Sequence, residues 1–295
     1  MRPRCFFISA KECALIGITM LWGTTFIVVH MAMRTAPPFF FVGFRFLLAS
    51  IVIALIFRRA LFPLKKQEIF AGTLIGLSIA VGYSLQTVGL VTIPSSMSAF
   101  ILALYAPIVP LLQWLILRRR PQLGNWLAII LCFIGLILLS DPDWDHFSFS
   151  YGEIVTLIAA VAVAIEIILI SRFAPGMDAR RLTFVQIVVA CLASFAIMPL
   201  VGESFPEFSP IWFWAAIFMA LATSIIQLTM NWAQKSVSPT RATIIYTSEP
   251  IWAGIIGWLV GEAFTSNSLT GAAFILAGIL VCELFPSKSM RKASQ

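Results

Sequence analysis

Charged side chains are scarce in this chain of 295 residues: Asp, Glu, Lys and Arg together make up 11% of it, against roughly 25% in an ordinary globular domain. That shortage excludes a disordered polar chain and a nucleic-acid module, both of which need dense charge. Cysteine is sparse as well. Cys5, Cys13, Cys132, Cys191 and Cys282 contain no CxxC pair and lie far apart, which excludes a disulfide framework and argues against a metal site. The two histidines, His30 and His146, add no ligand cluster, so neither a metal nor a cofactor is expected. A Walker A sequence is missing, and with it the signature of an intrinsic ATP-driven pump. No two or three titratable residues stand together as general acid–base chemistry would require. No catalytic residue is therefore assigned, and an enzyme is not expected.

Apolar residues are what the chain has in abundance. They make up 60% of it, with a mean hydropathy of +0.97, and they recur from Cys13 to Phe285. A membrane helix needs about 20 largely apolar residues. Ten stretches meet that requirement: 13–33, 38–57, 68–90, 96–117, 123–140, 151–172, 179–200, 211–233, 240–260 and 268–285. They are too long for buried strands. The first has no small-x-small cleavage site and leads straight into a second, so it reads as a membrane span and not as a signal peptide. The fold class expected is an all-α polytopic membrane protein of ten transmembrane helices.

The charges that do occur give an independent check. With the N-terminus in the cytoplasm, 18 of the 20 basic residues fall on the cytoplasmic side, clustered around Arg2 and Arg4, Arg58 to Lys66, Arg118 to Arg120, Arg172 to Arg181, Lys235 to Arg241, and Lys288 to Lys292. Asp141, Asp143, Asp145, Glu153, Glu203, Glu207 and Glu262 fall on the other. This is the positive-inside pattern, with both termini cytoplasmic and a bacterial inner membrane as the expected location. The net charge of +7 then reflects topology, with contact to anionic lipid secondary. Trp212 and Trp214 open their span at a membrane boundary, where indole rings act as interfacial anchors.

A weak internal echo runs through the chain. At a separation of 143 residues, Ser95, Ala99, Ile101, Pro107, Ile108 and Gly135 meet Ser238, Ala242, Ile244, Pro250, Ile251 and Gly278. Five spans per half is an odd number, so the second half enters the membrane from the opposite side. Residues 1–145 and 146–295 are thus expected to be inverted five-helix repeats, an arrangement that supports alternating access.

Several motifs bear a resemblance. Leu21-Trp22-Gly23-Thr24-Thr25-Phe26, Phe44-Arg45-Phe46-Leu47-Leu48-Ala49, Ser98-Ala99-Phe100 with Leu104-Tyr105-Ala106-Pro107, Ser248-Glu249-Pro250, Gly261-Glu262, and Gly271-Ala272-Ala273 through Gly278 together resemble the EamA branch of the drug/metabolite transporter superfamily. The likeness covers essentially the whole chain. It implies a ten-helix inner-membrane carrier that exports amino acids, metabolites or toxic compounds. The Gly-Glu pair is not duplicated: Arg118-Arg119 stands at its place in the first half, and Glu262 is not read as a substrate ligand.

The candidate transport path rests on polar groups inside apolar spans, where an ionisable side chain requires a partner, a wet cavity or a proton. Glu249 precedes Pro250, which removes one helical N–H and can bend the span; Pro107 holds the echoing place. Glu249 reads as a central polar site or gate, or as a packing residue paired with Arg45. Glu166 reads as a proton-coupling or cation-binding carboxylate, or as a structural residue that pairs with Arg172 or makes one hydrogen bond, in a helix whose Ala159, Ala160, Ala162 and Ala164 permit close packing. Arg45 can grip a substrate carboxylate through two parallel hydrogen bonds. Trp22 and Tyr105 offer aromatic walls, and Gln86, Gln227, Asn231, Ser98 and Ser248 offer uncharged polar contacts. His30 reads equally as a titrating group and as a solvated residue at the interface. The expected function is a secondary transporter for a small amino-acid-like or amphipathic metabolite, possible coupling to protons included. Lipophilic-cation or multidrug efflux is the alternative, and a channel ranks below both. The partners are a small-molecule substrate and membrane lipids; neither monomer nor homodimer is selected.

Overall fold

The computed structural model describes residues 9–117, 123–139, 149–237, 242 and 245–284. The basic run Arg118–Arg120, the acidic segment Asp141–Asp145, Arg241 and the tail with Lys288, Arg291 and Lys292 lie outside the described residues. The described residues form helices α1 (Ala10–Ala32), α2 (Pro38–Leu61), α3 (Lys66–Gly89), α4 (Ser95–Leu102), α5 (Tyr105–Leu117), α6 (Leu123–Leu139), α7 (Tyr151–Phe173), α8 (Ala179–Ile197), α9 (Pro210–Ala233), α10 (Glu249–Leu259) and α11 (Ser266–Leu284). No strand occurs among them.

The helix starts follow local chemistry. Ser9 with Glu12 and Ser150 with Glu153 form capping boxes at α1 and α7, each satisfying two otherwise orphaned backbone donors. Asp178 accepts from Arg180 N at 2.9 Å to start α8. Pro38 and Pro210 open α2 and α9, where the missing N–H costs nothing.

Among the described residues, seven stretches are long and apolar enough to cross a bilayer: Ala10–Ala32, Pro38–Leu61, Lys66–Gly89, Ser95–Leu115, Tyr151–Phe173, Ala179–Val201 and Pro210–Ala233. The other three of the expected ten do not meet that length and apolarity among the described residues. Two shorter apolar helices, Trp126–Leu139 and Ser266–Val281, occupy the stretches 123–140 and 268–285. At 240–260 the helix is interrupted by a turn at Thr247–Ser248, leaving α10 with 11 residues.

The two halves make matching contacts. α1 packs on α9 while α7 packs on α3; α2 packs on α9 while α8 packs on α3; α1 meets α10 while α7 meets α5. α2 packs on α8, and α6 on α11. The last pair approaches backbone to backbone: a Cβ on Gly135 would lie 2.7 Å from Gly271 O, and one on Gly278 would lie 2.8 Å from Ala128 O. Small residues allow such approach in a membrane, where packing replaces the hydrophobic effect as the driving force. The α7 alanines behave as expected, with Ser78 Oγ of α3 donating to Ala162 O at 2.7 Å.

The fourth pass is also broken, and the break is not at proline. A turn at Ala103–Leu104 separates α4 from α5. Leu104 N donates to Ile101 O and Ile108 N to Leu104 O; Ser248 N donates to Ile245 O and Trp252 N to Ser248 O. The same pattern thus repeats 144 residues on (248 − 104), one more than the proline echo (250 − 107 = 143). Pro107 and Pro250 fall in the first turns of α5 and α10, where a missing donor is tolerated, and the bend expected at each proline lies just before it.

Candidate functional site

Six helices each contribute one long polar side chain to the interior: Arg45 from α2, Tyr83 from α3, Glu166 from α7, Gln186 from α8, Gln227 from α9 and Glu249 from α10, all buried. Glu166, Gln186 and Gln227 have no exposed surface. Gln227 is the junction. Its Nε2 donates to Glu166 Oε1 at 2.9 Å and, more weakly, to the Tyr83 hydroxyl at 3.4 Å. Its Oε1 accepts from Gln186 Nε2 at 2.8 Å. A carboxylate facing the amide fixes which end is the NH2, so the ladder runs Gln186 to Gln227 to Glu166 across three helices. One turn on, Asn231 Nδ2 donates to Thr183 Oγ1 at 3.0 Å and to Gln227 O at 2.9 Å.

Arg45 forms no ion pair among the described residues. Its guanidinium lies 4.8 Å from the Tyr83 ring centroid and 4.8 Å from that of Phe46, contacts that favour a cation electrostatically. Its Nε and Nη2 have no hydrogen-bond partner among the described residues. Tyr83 lies within electrostatic reach of Arg45, Glu166 and Glu249. The aromatic ring thus stands among one basic and two acidic side chains that do not neutralise one another directly. Among the described residues Glu249 forms no ion pair with Arg45 and Glu166 none with Arg172; of the structural alternatives for Glu166, the single hydrogen bond is the one present, from Gln227.

Glu249 begins α10 and Tyr105 begins α5. In the 144-residue register they are equivalent, and the two interact through the Tyr105 hydroxyl, although neither Glu249 oxygen meets a donor at full hydrogen-bond geometry among the described residues. Glu166 Oε2, Gln186 Oε1 and Asn231 Oδ1 are buried without a partner in the same way. Buried polar groups left so cost about 1–3 kcal/mol each, and such a set is unlike a finished core.

A smaller network lies beside the first. Ser171 Oγ donates to Gln234 Oε1 at 3.1 Å, Gln234 Nε2 donates to the Tyr246 hydroxyl at 2.9 Å, and Trp22 packs edge-on against Tyr246 at 5.8 Å. Ser248 shares a 2.9 Å hydrogen bond with Thr19 of α1. The neighbouring Gly23 lets α1 press on α10: a Cβ there would lie 2.7 Å from Trp252 Cβ.

Of the residues singled out from sequence, Arg45, Tyr105, Glu166, Gln227, Asn231 and Glu249 are drawn together. Trp22 and Ser248 join the adjoining network. Ser98 is buried on α4 with its hydroxyl unpartnered among the described residues. Gln86 is buried one turn beyond Tyr83, and no hydrogen bond joins its side chain to the cluster. His30 is neither central nor simply solvated: its Nδ1 lies 2.9 Å from Leu90 O. Trp212 is no interfacial anchor. It is buried among Phe40, Phe44, Phe208 and Phe213 and bonded to Glu207 O at 3.0 Å, while Trp214 is exposed as expected. Tyr83, Gln186 and Tyr246 were not anticipated. Gln186 did carry a signal, as a lone amide in the run Leu182 to Val189.

The same family description, EamA-like transporter family, matches this chain twice, at residues 10–141 and again at 150–283. The chain belongs to the EamA-like transporter family. It is similar over most of its length to several proteins named as uncharacterized transporters. One from Archaeoglobus fulgidus is 26% identical, covering 92% of this chain and 85% of its own. YedA, an inner membrane transporter of Escherichia coli K12, is 25% identical (93% and 92%), and YoaV of Bacillus subtilis is 20% identical (90% and 94%). A solved crystal structure superposes with a TM-score of 0.69 at 15% identity, covering 96% of this chain and 99% of the other, a likeness of fold alone. This EamA-like chain is accordingly a multi-pass membrane transport protein and not an enzyme. Among the described residues no three His, Cys, Asp or Glu side chains are grouped to hold a metal.

Proposed function

We propose that this EamA-like protein is a secondary exporter of a small amino-acid-like metabolite, working by alternating access between inverted five-helix repeats, 1–145 and 146–295. The observation that carries the reading is the buried set of one basic and two acidic side chains around Tyr83 that form no ion pair with one another among the described residues. Arg45 offers two free N–H groups to a substrate carboxylate, in the geometry that favours bidentate binding. Glu166 Oε2 and Glu249 offer acceptors to an ammonium group. A ligand carrying both charges would satisfy both ends, and a residue pair inside the protein does neither.

Alternating access draws support from the double family match and from the paired helix contacts. The two broken passes meet at Tyr105 and Glu249, so a movement of one half against the other would alter that contact. Glu166 and Glu249 are the proposed proton carriers, and export is the direction the family likeness suggests. An inner-membrane location with cytoplasmic termini rests on the distribution of basic residues. The alternative is efflux of lipophilic cations, which the aromatic Trp22, Tyr83, Tyr105 and Tyr246 beside two carboxylates would also suit.

The test is transport by purified protein in liposomes, screened with neutral and basic amino acids, polyamines and lipophilic cations under imposed pH gradients. Carboxylate-bearing amines should move, and Arg45→Leu should abolish that movement. Transport of lipophilic cations alone, indifferent to Arg45→Leu, would overturn the amino-acid reading in favour of the second.

A further inference from the structure

Glu262 sits far from the charged cluster and was set aside as a ligand, yet its surroundings are built with care. Gly261 has φ of +93°, a conformation open to glycine and strained for other residues. Gly261 N donates to Trp258 O at 3.0 Å and Glu262 N to Gly257 O at 2.9 Å, the two bonds of a Schellman ending. The chain is thereby folded back over the end of α10, and Glu262 reaches α4. Its Oε1 accepts from Ser95 N at 2.8 Å and from Ser95 Oγ, and its Oε2 accepts from Ser96 N at 3.1 Å. A carboxylate at a helix N-terminus meets both free donors and the positive end of the dipole.

α4 and α10 are the outer half-helices of the two broken passes. They pack on each other, and at their far ends the chain reaches Tyr105 and Glu249. A second carboxylate acts in the same way at another helix start: Glu203 accepts from Phe39 N at 3.2 Å and Phe40 N at 3.0 Å at the start of α2. The α2 helix is also held at its other end, where Arg181 Nε donates to Ala60 O at 2.8 Å. α2 is therefore held at one end by α8 and at the other by the segment that follows α8. At their outer ends α4 and α10 are tied by the Glu262 carboxylate. Glu262 is half-buried, and a cleft of about 740 Å³ runs beside it between α4, α10 and α11.

We infer that Glu262 is the outer latch of the transport cycle: bonded to Ser95 and Ser96 it holds α4 against α10 and closes the path to Glu249, and its release opens that path to the outside. The Glu203 and Arg181 contacts belong to the frame against which the latch moves. This rests on the alternating-access reading and on the cytoplasmic N-terminus. Burial alone would raise the Glu262 carboxyl, but the bonds from Ser95 and Ser96 outweigh it and hold the group below the usual carboxylate range. The bonding it supplies is present above the ordinary pKa of about 4.3 and is lost only as pH falls through the lower folded value. The latch stays charged at physiological pH, so its release is by movement and not by titration.

The test reads accessibility and needs no substrate. In a background without native cysteines, Ser98→Cys is labelled from outside with a membrane-impermeant maleimide. Glu262→Gln keeps one acceptor but sets an NH2 against a backbone donor, and labelling should quicken about tenfold, the equivalent of about 1.4 kcal/mol. Gly257→Ala should act likewise, because its Cβ would lie 2.5 Å from Glu262 Oε2. Glu203→Gln should leave labelling unchanged, and a short cross-link between cysteines at 95 and 262 should suppress both labelling and transport. Equal labelling in the parent, Glu262→Gln, Gly257→Ala and cross-linked proteins would make Glu262 a static brace and overturn the inference. If labelling shifts as stated while no compound is transported in liposomes, the carrier reading fails and the latch stands.

Discussion

Replacing Glu166 by Gln and by Ala should separate proton coupling from packing. The native contact is one hydrogen bond, Gln227 Nε2 to Glu166 Oε1 at 2.9 Å, between fully buried side chains. Gln at 166 retains an acceptor for that bond and places an NH2 where Oε2 had no partner. Little is lost, and a carboxyl group that is costly to bury in a bilayer is gone, so Glu166→Gln should be within about 1 kcal/mol of the parent. Ala removes the acceptor. An interhelical hydrogen bond in a membrane is worth about 0.6 to 1.7 kcal/mol, and an orphaned donor costs about 1–3 kcal/mol, softened here by the long contact to Tyr83. Glu166→Ala should therefore lose about 2–3 kcal/mol, a thirtyfold or greater fall in the folded-to-unfolded ratio on the scale of about 1.4 kcal/mol per tenfold. Function should divide the other way. If Glu166 carries the proton, both variants lose substrate-driven proton flux, while Glu166→Gln still binds and exchanges labelled substrate. Stability is read by denaturant titration in detergent, and coupling by a pH-sensitive dye in the same vesicles used for exchange. Normal proton flux per folded Glu166→Gln molecule would remove this residue from the coupling path. Equal destabilisation by Gln and Ala would refute the hydrogen-bond argument itself.

Other outcomes follow from the same geometry. Glu249→Gln should leave membrane abundance near that of the parent and lower initial transport rates at least tenfold; unchanged rates from pH 5 to 8 would make the residue structural. Arg45→Lys keeps the charge but loses the paired N–H geometry, so it should raise KM for a carboxylate substrate more than it lowers kcat, as measured by initial uptake. Gly271→Val forces apart α6 and α11, because even a Cβ there would lie 2.6 Å from Gly135 O; it should cost several kcal/mol, read as a loss of monodisperse protein on gel filtration. The hydrogen bond from Arg180 holds the Asp178 carboxyl down at about 2, so its contribution is present above the unfolded value near 3.9 and lost as pH falls through about 2. Asp178→Asn keeps a capping oxygen but loses the charged contact with Arg180, a surface pair, so it should cost no more than about 0.5–1 kcal/mol at neutral pH, as seen in thermal melts.

Hydropathy alone marked the passes that are long, apolar and unbroken, because length and composition are local properties. The polar site was partly legible for the same reason: a carboxylate or amide within an apolar run, such as Glu166, Gln227 or Glu249, is rare enough to draw notice. What could not be read was who meets whom. Glu166 takes Gln227 in place of Arg172, and Arg45 lies on Tyr83, because helix packing decides which faces converge. Trp212 looked like an anchor by its place at a helix start, but the aromatic residues around it come from α2, from the loop before α9 and from α9 itself. Glu262 looked idle because its partners lie 166 and 167 residues away and are reached only through the turn at Gly261. The break in the fourth and ninth passes was placed at the prolines, whereas it precedes each of them by a different number of residues.

That difference bears on how the protein could be recombined. A residue inserted into a helix turns everything after it by about 100°. If the segment after Leu104 were exchanged for that after Ser248 by aligning the prolines, each transplanted side chain would arrive rotated by that angle, with Tyr105 replaced by Ser248 and not by Glu249. A splice made at the hydrogen-bonded turns, 144 residues apart, would keep the phase. An alignment of the two halves by their prolines would thus be out of register at the turns where the broken passes meet.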